Sequence, residues 1–209
     1  MAYDLQEQEQ LDALKAWWQK NGNLVVGFVT VVLVAIAGWQ LWNRHQRGEA
    51  EAAAALYDTF SEAVTAKDAA KARELAGTLI ERHGSTTFAA LAALQAAKLN
   101  FDAGDTAGAK AQLQWVVDKS GQAELALTAR VRLAGVLLDA KEYDAALKIL
   151  DVSPPPSHAA LFADRRGDVL YAQGKVEEAR AAWKSALEQA ATQGPLRQSV
   201  QLKLDALPS

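Results

Sequence analysis

The amino-acid sequence predicts an all-α fold, in which a single N-terminal transmembrane helix is followed by an α-solenoid of about four helical hairpins and a C-terminal capping helix. Three observations lead to this prediction. Residues 24–42 form an apolar run without charged side chains, and turn-like segments recur at nearly constant spacing beyond residue 50. Alanine, the strongest helix former, is abundant, whereas only 5 of the 209 residues are proline. We therefore predict a short tail at 1–23, a transmembrane helix at 24–42 and a helical repeat domain at 43–209.

The composition excludes several function classes. The formal net charge is −3 and no basic stripe is present, so nucleic acid is not expected as a partner, because phosphate binding requires clustered lysine and arginine. The chain contains no cysteine, which removes disulfide frameworks, thiolate metal ligands and cysteine nucleophiles.

The apolar run reads LVVGFVTVVLVAIAGWQLW from Leu24 to Trp42. At about 1.5 Å per residue, a helix of this length covers about 28 Å, close to the roughly 30 Å hydrocarbon core of a bilayer. A buried helix of a soluble domain is one alternative, but such a helix is normally shorter and carries some polar positions. We therefore interpret the run as a single membrane span.

A cleaved signal peptide is the second alternative, because Ala35-Ile36-Ala37 matches the small-residue motif of a cleavage site. Signal peptides begin with a short basic leader, whereas residues 1–23 contain four acidic residues against two lysines. The apolar character also continues beyond the motif through Leu41. Both features favour an anchor that is retained.

Tryptophan residues flank the run on both sides. Trp17 and Trp18 precede it, and Trp39 and Trp42 close it. Since tryptophan prefers the membrane–water interface, we predict an aromatic belt at each end, with Arg44 in water just beyond. Positive residues are balanced across the span, so charge counting leaves its orientation nearly undetermined, with a slight preference for a cytoplasmic N-terminus.

Beyond residue 47, four helix–turn–helix segments align in one register. An alanine opens the second helix of each segment, and these alanines, Ala72, Ala109, Ala146 and Ala179, are 37, 37 and 33 residues apart. This spacing brackets the period of about 34 residues of the tetratricopeptide repeat. Residues 50–190 therefore resemble such repeats, although the large aromatic residue expected early in each first helix is missing.

Close helix packing explains the pattern. A small residue on the first helix must face a small residue on the second so that the two axes can approach, and a larger residue further along the second helix then fills the space towards the next repeat. The predicted packing residues, including two turn glycines, are Ala97, Gly104, Ala109, Ala134, Ala146, Gly167, Gly174, Ala179 and Trp183.

Proline marks two interruptions of the helical pattern. Pro154, Pro155 and Pro156 are predicted to end the preceding helix and to form an extended linker; a ligand for an SH3-like partner is the less favoured interpretation. Gly194-Pro195 marks a second break, after which an apolar pattern predicts the capping helix.

No pattern typical of catalysis or of a metal site is present in the sequence. The three histidines, His45, His83 and His158, lie outside metal-ligand spacings, and neither a GxSxG elbow nor a glycine-rich phosphate loop occurs. We therefore expect no enzymatic activity, no cofactor and no small-molecule substrate.

Several motifs along the chain together resemble one known family. An acidic, glutamine-rich tail leads into Trp17-Trp18 and Asn21-Gly22, and the apolar run ends in Gly38-Trp39, Trp42-Asn43 and His45-Gln46. Further matching segments are 109–114, 163–167 and 179–183, together with Gly174. From end to end, the chain resembles the ancillary SecYEG translocon subunit family of Gram-negative bacteria.

This resemblance implies a type II protein of the bacterial inner membrane, with its N-terminus in the cytoplasm and its repeat domain in the periplasm. It implies three partners: the Sec translocon, a membrane-anchored periplasmic prolyl isomerase, and periplasmic chaperones to which emerging chains are passed. It brings no catalytic residues. The leading hypothesis is therefore a non-enzymatic adaptor, and the alternatives are a self-associating, membrane-tethered scaffold and a repeat receptor that faces the cytosol.

An adaptor is expected to hold its partner in a groove lined by the first helices of the hairpins. Lys98, Arg130, Arg132 and Arg166 are the candidate groove residues, although solvated surface charges are the simpler interpretation of the same four side chains. The lysine and asparagine pattern of repeats that grip chaperone C-termini is not recognisable, so that partner class is not expected.

Overall fold

The computed structural model of the protein describes residues 2–190 and 194–207, with side chains described from Gln10 onward. All regular secondary structure in these ranges is α-helical, which confirms the predicted fold class. The helices are α1 (Ala2–Thr65), α2 (Ala69–His83), α3 (Thr87–Asp102), α4 (Thr106–Lys119), α5 (Ala123–Asp139), α6 (Tyr143–Ile149), α7 (Pro156–Ala172), α8 (Val176–Gln189) and α9 (Pro195–Asp205).

The chain divides into two compact units, one up to Glu49 and one from Ala50. In the second unit, residues 50–65 of α1 pack with α2, and three further hairpins follow as α3–α4, α5–α6 and α7–α8. Helix α9 packs against α8 as the capping helix. The domain boundaries that we predict at residues 23 and 42 stay a prediction.

The apolar core of the second unit lies between successive hairpins. One cluster joins α1, α2 and α3, a second joins α3 to α7, and a third joins α7, α8 and α9. Trp115 packs against both the first and the second cluster. Because each hairpin shares its core with its neighbours, the unit has the nearest-neighbour architecture of a helical solenoid.

The four hairpin turns have the same backbone geometry. In the second hairpin, Gly104 has φ +80° and its N–H donates to the Phe101 carbonyl at 2.9 Å, while the Asp105 N–H donates to the Asn100 carbonyl at 2.8 Å. This pair of hydrogen bonds is the Schellman motif, which satisfies two carbonyls at the end of a helix. The equivalent left-handed residues in the other turns are Lys67 (φ 60°), Lys141 (φ 61°) and Gly174 (φ 81°).

Side-chain capping of the second helices is present in only two hairpins. Asp68 accepts from the Lys71 N–H, and Asp105 accepts from the Gly108 N–H. Glu142 and Lys175, at the same position of the third and fourth hairpins, make no side-chain cap hydrogen bond. Since such a cap contributes about 1 kcal/mol, the first two turns are the better stabilised ones.

The proline-rich segment lies between the third and fourth hairpins. Helix α6 ends at Ile149, Pro155 is extended with φ −63° and ψ 161°, and Pro156 opens α7. Proline at the first turn of a helix costs no hydrogen bond, because that N–H has no partner inside the helix. Pro195 opens α9 in the same way.

Small residues lie where the paired helices approach. The register alanines Ala72, Ala109, Ala146 and Ala179 are all fully buried. In the fourth hairpin, a Cβ on Gly167 would lie 2.5 Å from the Trp183 ring. A side chain there would overlap the indole, so glycine at 167 and tryptophan at 183 depend on each other.

The other hairpins place a different pair at the same two positions. The pair is Ala97 with Leu113 in the second hairpin and Ala134 with Leu150 in the third, and all four residues are buried. In the first hairpin, the corresponding residues are the buried Phe60 and Ala76. A large residue at one position therefore accompanies a small residue at the other.

Replacing Gly104 by alanine should destabilise the second unit by about 1 kcal/mol, because a left-handed conformation strains any residue with a Cβ. The measurement is urea unfolding of the full chain in detergent micelles. The matched control is Gly77→Ala, since Gly77 lies inside α2 with open space around its Cβ position. That control should stabilise the protein by roughly 0.5–1 kcal/mol, and equal effects of the two substitutions would refute the role of the turn.

Gly167→Ala should destabilise by about 1–2 kcal/mol through overpacking, and Trp183→Leu by about 2–3 kcal/mol through cavity formation. The double variant reproduces the Ala134–Leu150 pair of the third hairpin, so its loss should be smaller than the sum of the single losses by at least about 1 kcal/mol. Unfolding of all three variants by urea measures this coupling, and strictly additive losses would contradict it.

Candidate partner-binding surface

Among the described residues, one stretch of α1 is long and apolar enough to cross a membrane by length and composition. This stretch of α1 runs over Gln10–Thr65, and its most apolar window has a mean hydropathy of 2.3 with none of it buried. The window is therefore not part of the apolar core of the described residues, and a membrane anchor fits it.

The structure places the predicted interface residues on this helix with their side chains exposed. Trp17 and Trp18 are about half exposed, and Trp39 and Trp42 are more so. Arg44 follows within the same helix and is exposed as well. Their assignment to the membrane interface stays a prediction.

The second unit has a groove along the first helices of its second, third and fourth hairpins. It has a volume of about 370 Å³ and is lined by residues of α3, α5 and α7, with Leu113 of α4 at its base. Its apolar lining includes Leu94, Phe101 and Val136, and the Phe101 ring is exposed. The groove can therefore receive an apolar side chain.

Charged side chains surround the apolar lining of this groove. Lys98 forms an ion pair with Asp102 at 2.6 Å, and Arg165 pairs with Asp168 at 3.3 Å. Within the part of the chain that the structure describes, Arg132 has neither an ion pair nor a side-chain hydrogen bond, and its side chain is exposed in the groove. Arg132 is therefore the lining cation that is available to a partner.

Gly135 lies in the groove floor, beneath the side chain of Arg165. A Cβ at this position would lie 3.4 Å from the guanidinium carbon of Arg165, so the Arg165 side chain of α7 lies across the α5 backbone. Lys98 precedes Gly135 by 37 residues and Asp168 follows it by 33 residues, so the three residues occupy one repeat position. Only the third hairpin lacks a side chain there.

Of the four predicted groove residues, the structure brings Lys98 and Arg132 together in this groove. It places Arg130 and Arg166 elsewhere, at the end of the short helix α6. Arg130 donates to the Ile149 carbonyl at 3.2 Å, and Arg166 donates to the Leu150 carbonyl at 3.2 Å. Both guanidinium groups therefore satisfy carbonyls at a helix C-terminus, where positive charge is also favourable.

A charged network beside the groove holds the capping helix. Lys203 of α9 lies 2.6 Å from Asp164 and 2.6 Å from Asp168 on α7. The Trp183 indole N–H donates to Asp168 at 3.2 Å. Burial raises the pKa of the Asp164 carboxyl above its ordinary value, the hydrogen bond from Lys203 opposes this shift, and the nearby charge of Asp168 adds to it.

The sequence interpretation missed Gly135 and Arg165 as groove residues. A glycine inside a helix is unfavourable by about 1 kcal/mol relative to alanine, so Gly135, directly after the packing residue Ala134, was a usable sign of a special position. Arg165 had no comparable sign, because its place depends on the packing of α7 against α5.

Among the described residues, no group of histidine, aspartate and glutamate side chains could hold a metal ion.

Comparison with known proteins places the chain in a family. Residues 15–209 match the family model described as "Tetratricopeptide repeat-like domain". The "Ancillary SecYEG translocon subunit" of Escherichia coli (strain K12) is 32% identical over 202 residues, which cover 96% of each chain. The protein of the same name from Neisseria gonorrhoeae is 32% identical over 208 residues, covering 99% of this chain and all of the relative. The chain belongs to the ancillary SecYEG translocon subunit family.

A solved structure supports the fold of this family member. The repeat protein described as "MamA 41-end from Desulfovibrio magneticus RS-1" superposes with a TM-score of 0.53 over 73% of this chain and 85% of that chain. The two sequences are 16% identical, so this likeness concerns the helical repeat fold alone.

The free energy of unfolding should depend on pH through Asp164. Its pKa is higher in the folded than in the unfolded protein, so its contribution to stability is complete below the unfolded pKa of about 4. The contribution is lost as the pH rises through the folded pKa. The stability of the native protein relative to Asp164→Asn should therefore fall as the pH rises across this window, as measured by urea unfolding at a series of pH values. A difference that stays constant with pH would contradict this expectation.

Proposed function

We propose that this protein is a non-enzymatic ancillary subunit of the Sec translocon, an adaptor that links translocating polypeptides to periplasmic chaperones. The observation that supports this most strongly is the similarity to proteins named as ancillary SecYEG translocon subunits over nearly the full length of both chains. Because the matched region includes the membrane helix and the repeat domain together, the likeness extends beyond a shared repeat fold.

The proposed location is the bacterial inner membrane, with residues 24–42 as a single retained span, the N-terminus in the cytoplasm and the repeat domain in the periplasm. The apolar window and its flanking tryptophans support the span. The orientation rests on the family resemblance, since the charges on the two sides of the span are balanced. The proposed partners in this location are the translocon, a membrane-anchored periplasmic prolyl isomerase and chaperones or nascent chains.

The groove of the repeat domain is the proposed surface for the periplasmic partner. It combines an apolar lining, which includes the exposed Phe101 ring, with the available guanidinium of Arg132. An extended polypeptide offers apolar side chains that fit the lining and backbone carbonyls that can accept from the guanidinium. Tethering concentrates this surface near the membrane, because few residues separate the predicted span from the repeat domain.

Site-specific photo-crosslinking in native membranes tests the proposal. A photoreactive residue at Trp42 is expected to capture a translocon subunit, because Trp42 lies at the predicted membrane interface. The photoreactive amino acid in place of Arg132 is expected to capture a periplasmic chaperone, the prolyl isomerase or a nascent chain. The matched control is Lys184, which is exposed on α8 and does not line the groove; it should capture none of these partners.

Three outcomes would overturn parts of this proposal. Capture of only a second copy at both positions would favour the self-associating scaffold. Capture of cytosolic proteins at Arg132 would reverse the proposed orientation. Absence of any translocon neighbour at Trp42, in membranes where the protein is present at its normal level, would remove the assignment to the translocon.

A further inference from the structure

The helix turns that precede the predicted membrane span are amphipathic. At about 100° per residue, Leu11, Leu14 and Trp18 lie within roughly 60° of one another on one side of α1. These three side chains are 55%, 60% and 52% exposed. Polar residues occupy the neighbouring side, where Gln19 and Asp12 lie about 80° and 100° from Leu11. Lys15, which forms an ion pair with Asp12 at 3.6 Å, lies at the edge of the apolar face. The segment 10–20 therefore has one apolar and one polar face.

The helix is too long for all of this apolar surface to lie in the hydrocarbon core. From Gln10 to Trp42, α1 extends about 50 Å, whereas the hydrocarbon core is about 30 Å thick. If residues 24–42 cross the core, the segment 10–20 lies outside it. Large apolar side chains would then be exposed to water unless this face contacts another apolar surface.

The residues between this segment and the span favour a change of helix direction. Asn21, Gly22 and Asn23 are poor helix formers in succession. The Asn21 side chain donates to the Trp17 carbonyl at 3.1 Å, so it competes for an acceptor of the helix ladder. At Gly22, a Cβ would lie 3.2 Å from the Trp18 ring. The absence of a side chain therefore lets the Trp18 ring rest on the helix backbone at this position.

We propose that residues 10–20 form an interfacial helix, which bends from the span at Asn21–Asn23 and buries its apolar face in the headgroup region of the adjoining leaflet. Leu11, Leu14 and Trp18 enter the lipid surface, Asp12 and Gln19 face water, and Lys15 lies at the boundary between the two faces. The proposal adds a lipid-binding surface to the anchor, and it does not depend on which partners the repeat domain binds.

A lipid surface fits this face better than a partner helix does. Only residues 19–23 separate the apolar stripe from the apolar run that begins at Leu24, so the face and the span are close enough to meet the same bilayer. Tryptophan at 17 and 18 is the side chain that prefers the interface, where its ring contacts lipid and its N–H contacts water. Lys15 and Lys20 can also approach anionic headgroups with their flexible stems, as interfacial helices commonly do.

The absence of cysteine from the chain allows a direct test with single-cysteine variants of the full protein. Nitroxide labels are attached at Leu11→Cys and Leu14→Cys on the apolar face, and at Asp12→Cys and Gln19→Cys on the polar face. The labelled proteins are reconstituted at a low protein-to-lipid ratio into vesicles of phosphatidylethanolamine and phosphatidylglycerol. The label at Val31→Cys, inside the predicted span, serves as the standard for insertion and depth.

Electron paramagnetic resonance then measures how each label collides with oxygen, which concentrates in lipid, and with a water-soluble nickel chelate. The oxygen-to-nickel collision ratio should be severalfold higher at 11 and 14 than at 12 and 19, although lower than at 31. Gly22→Ala in the Leu14→Cys background should lower the ratio at 14 by stiffening the bend. The matched control Gly27→Ala should leave the ratio unchanged, because a Cβ at Gly27 meets no other atom within 4 Å.

Two outcomes would overturn this proposal. Ratios typical of water at all four positions would show that the segment extends away from the membrane. Low collision with both reagents at 11 and 14, accompanied by spin–spin broadening, would show that the apolar face packs against a second copy. Neither outcome would affect the proposed role at the translocon, which the crosslinks at Trp42 and Arg132 test separately.

Discussion

The repeat domain depends above all on how closely the two helices of each hairpin approach. Ala72, Ala109, Ala146 and Ala179 are fully buried at the second-helix position where the chain turns back, and a longer side chain there would hold the helices apart. Close approach creates the apolar clusters that join each hairpin to the next. The solenoid, and any surface that it presents, therefore follows from one small-residue contact that is repeated four times.

At a second pair of positions, next to these alanines, the volume is shared between the two helices rather than prescribed for either of them. Gly167 accommodates Trp183 in the fourth hairpin, whereas the first hairpin has Phe60 on its first helix and Ala76 on its second. A constraint on summed volume explains why the repeats look degenerate when each position is compared by itself, because cores tolerate exchanges that preserve total volume. The turns behave similarly: the left-handed residue is glycine in two hairpins and lysine in two, so the backbone geometry is more regular than the sequence.

The packing register could be predicted from the sequence because small residues recur along the chain at nearly constant spacing. The sequence could not place Arg130 and Arg166, since their partners are the carbonyls of Ile149 and Leu150. Those carbonyls are available because α6 ends after seven residues, and the sequence pattern did not show so short a helix. Gly135 and Arg165 were missed for a related reason, because a contact between α5 and α7 depends on the stacking of two hairpins. Local sequence patterns thus predicted the helices, whereas the set of residues that line the groove depends on contacts between hairpins.

The groove also shows how a repeat architecture can acquire a specific surface. Lys98, Gly135 and Asp168 occupy one repeat position but carry a cation, no side chain and an anion, in that order. The cation is paired with Asp102 of the same helix and the anion with Lys203 of the capping helix, so both charges have partners within the domain. The middle position has no side chain of its own and lies beneath the Arg165 guanidinium. Arg132 precedes it by three residues, about 60° away around α5. The third hairpin has the same type of packing pair as the second, but its surface residues differ from those of its neighbours. A partner would therefore meet its most selective contacts at the third hairpin.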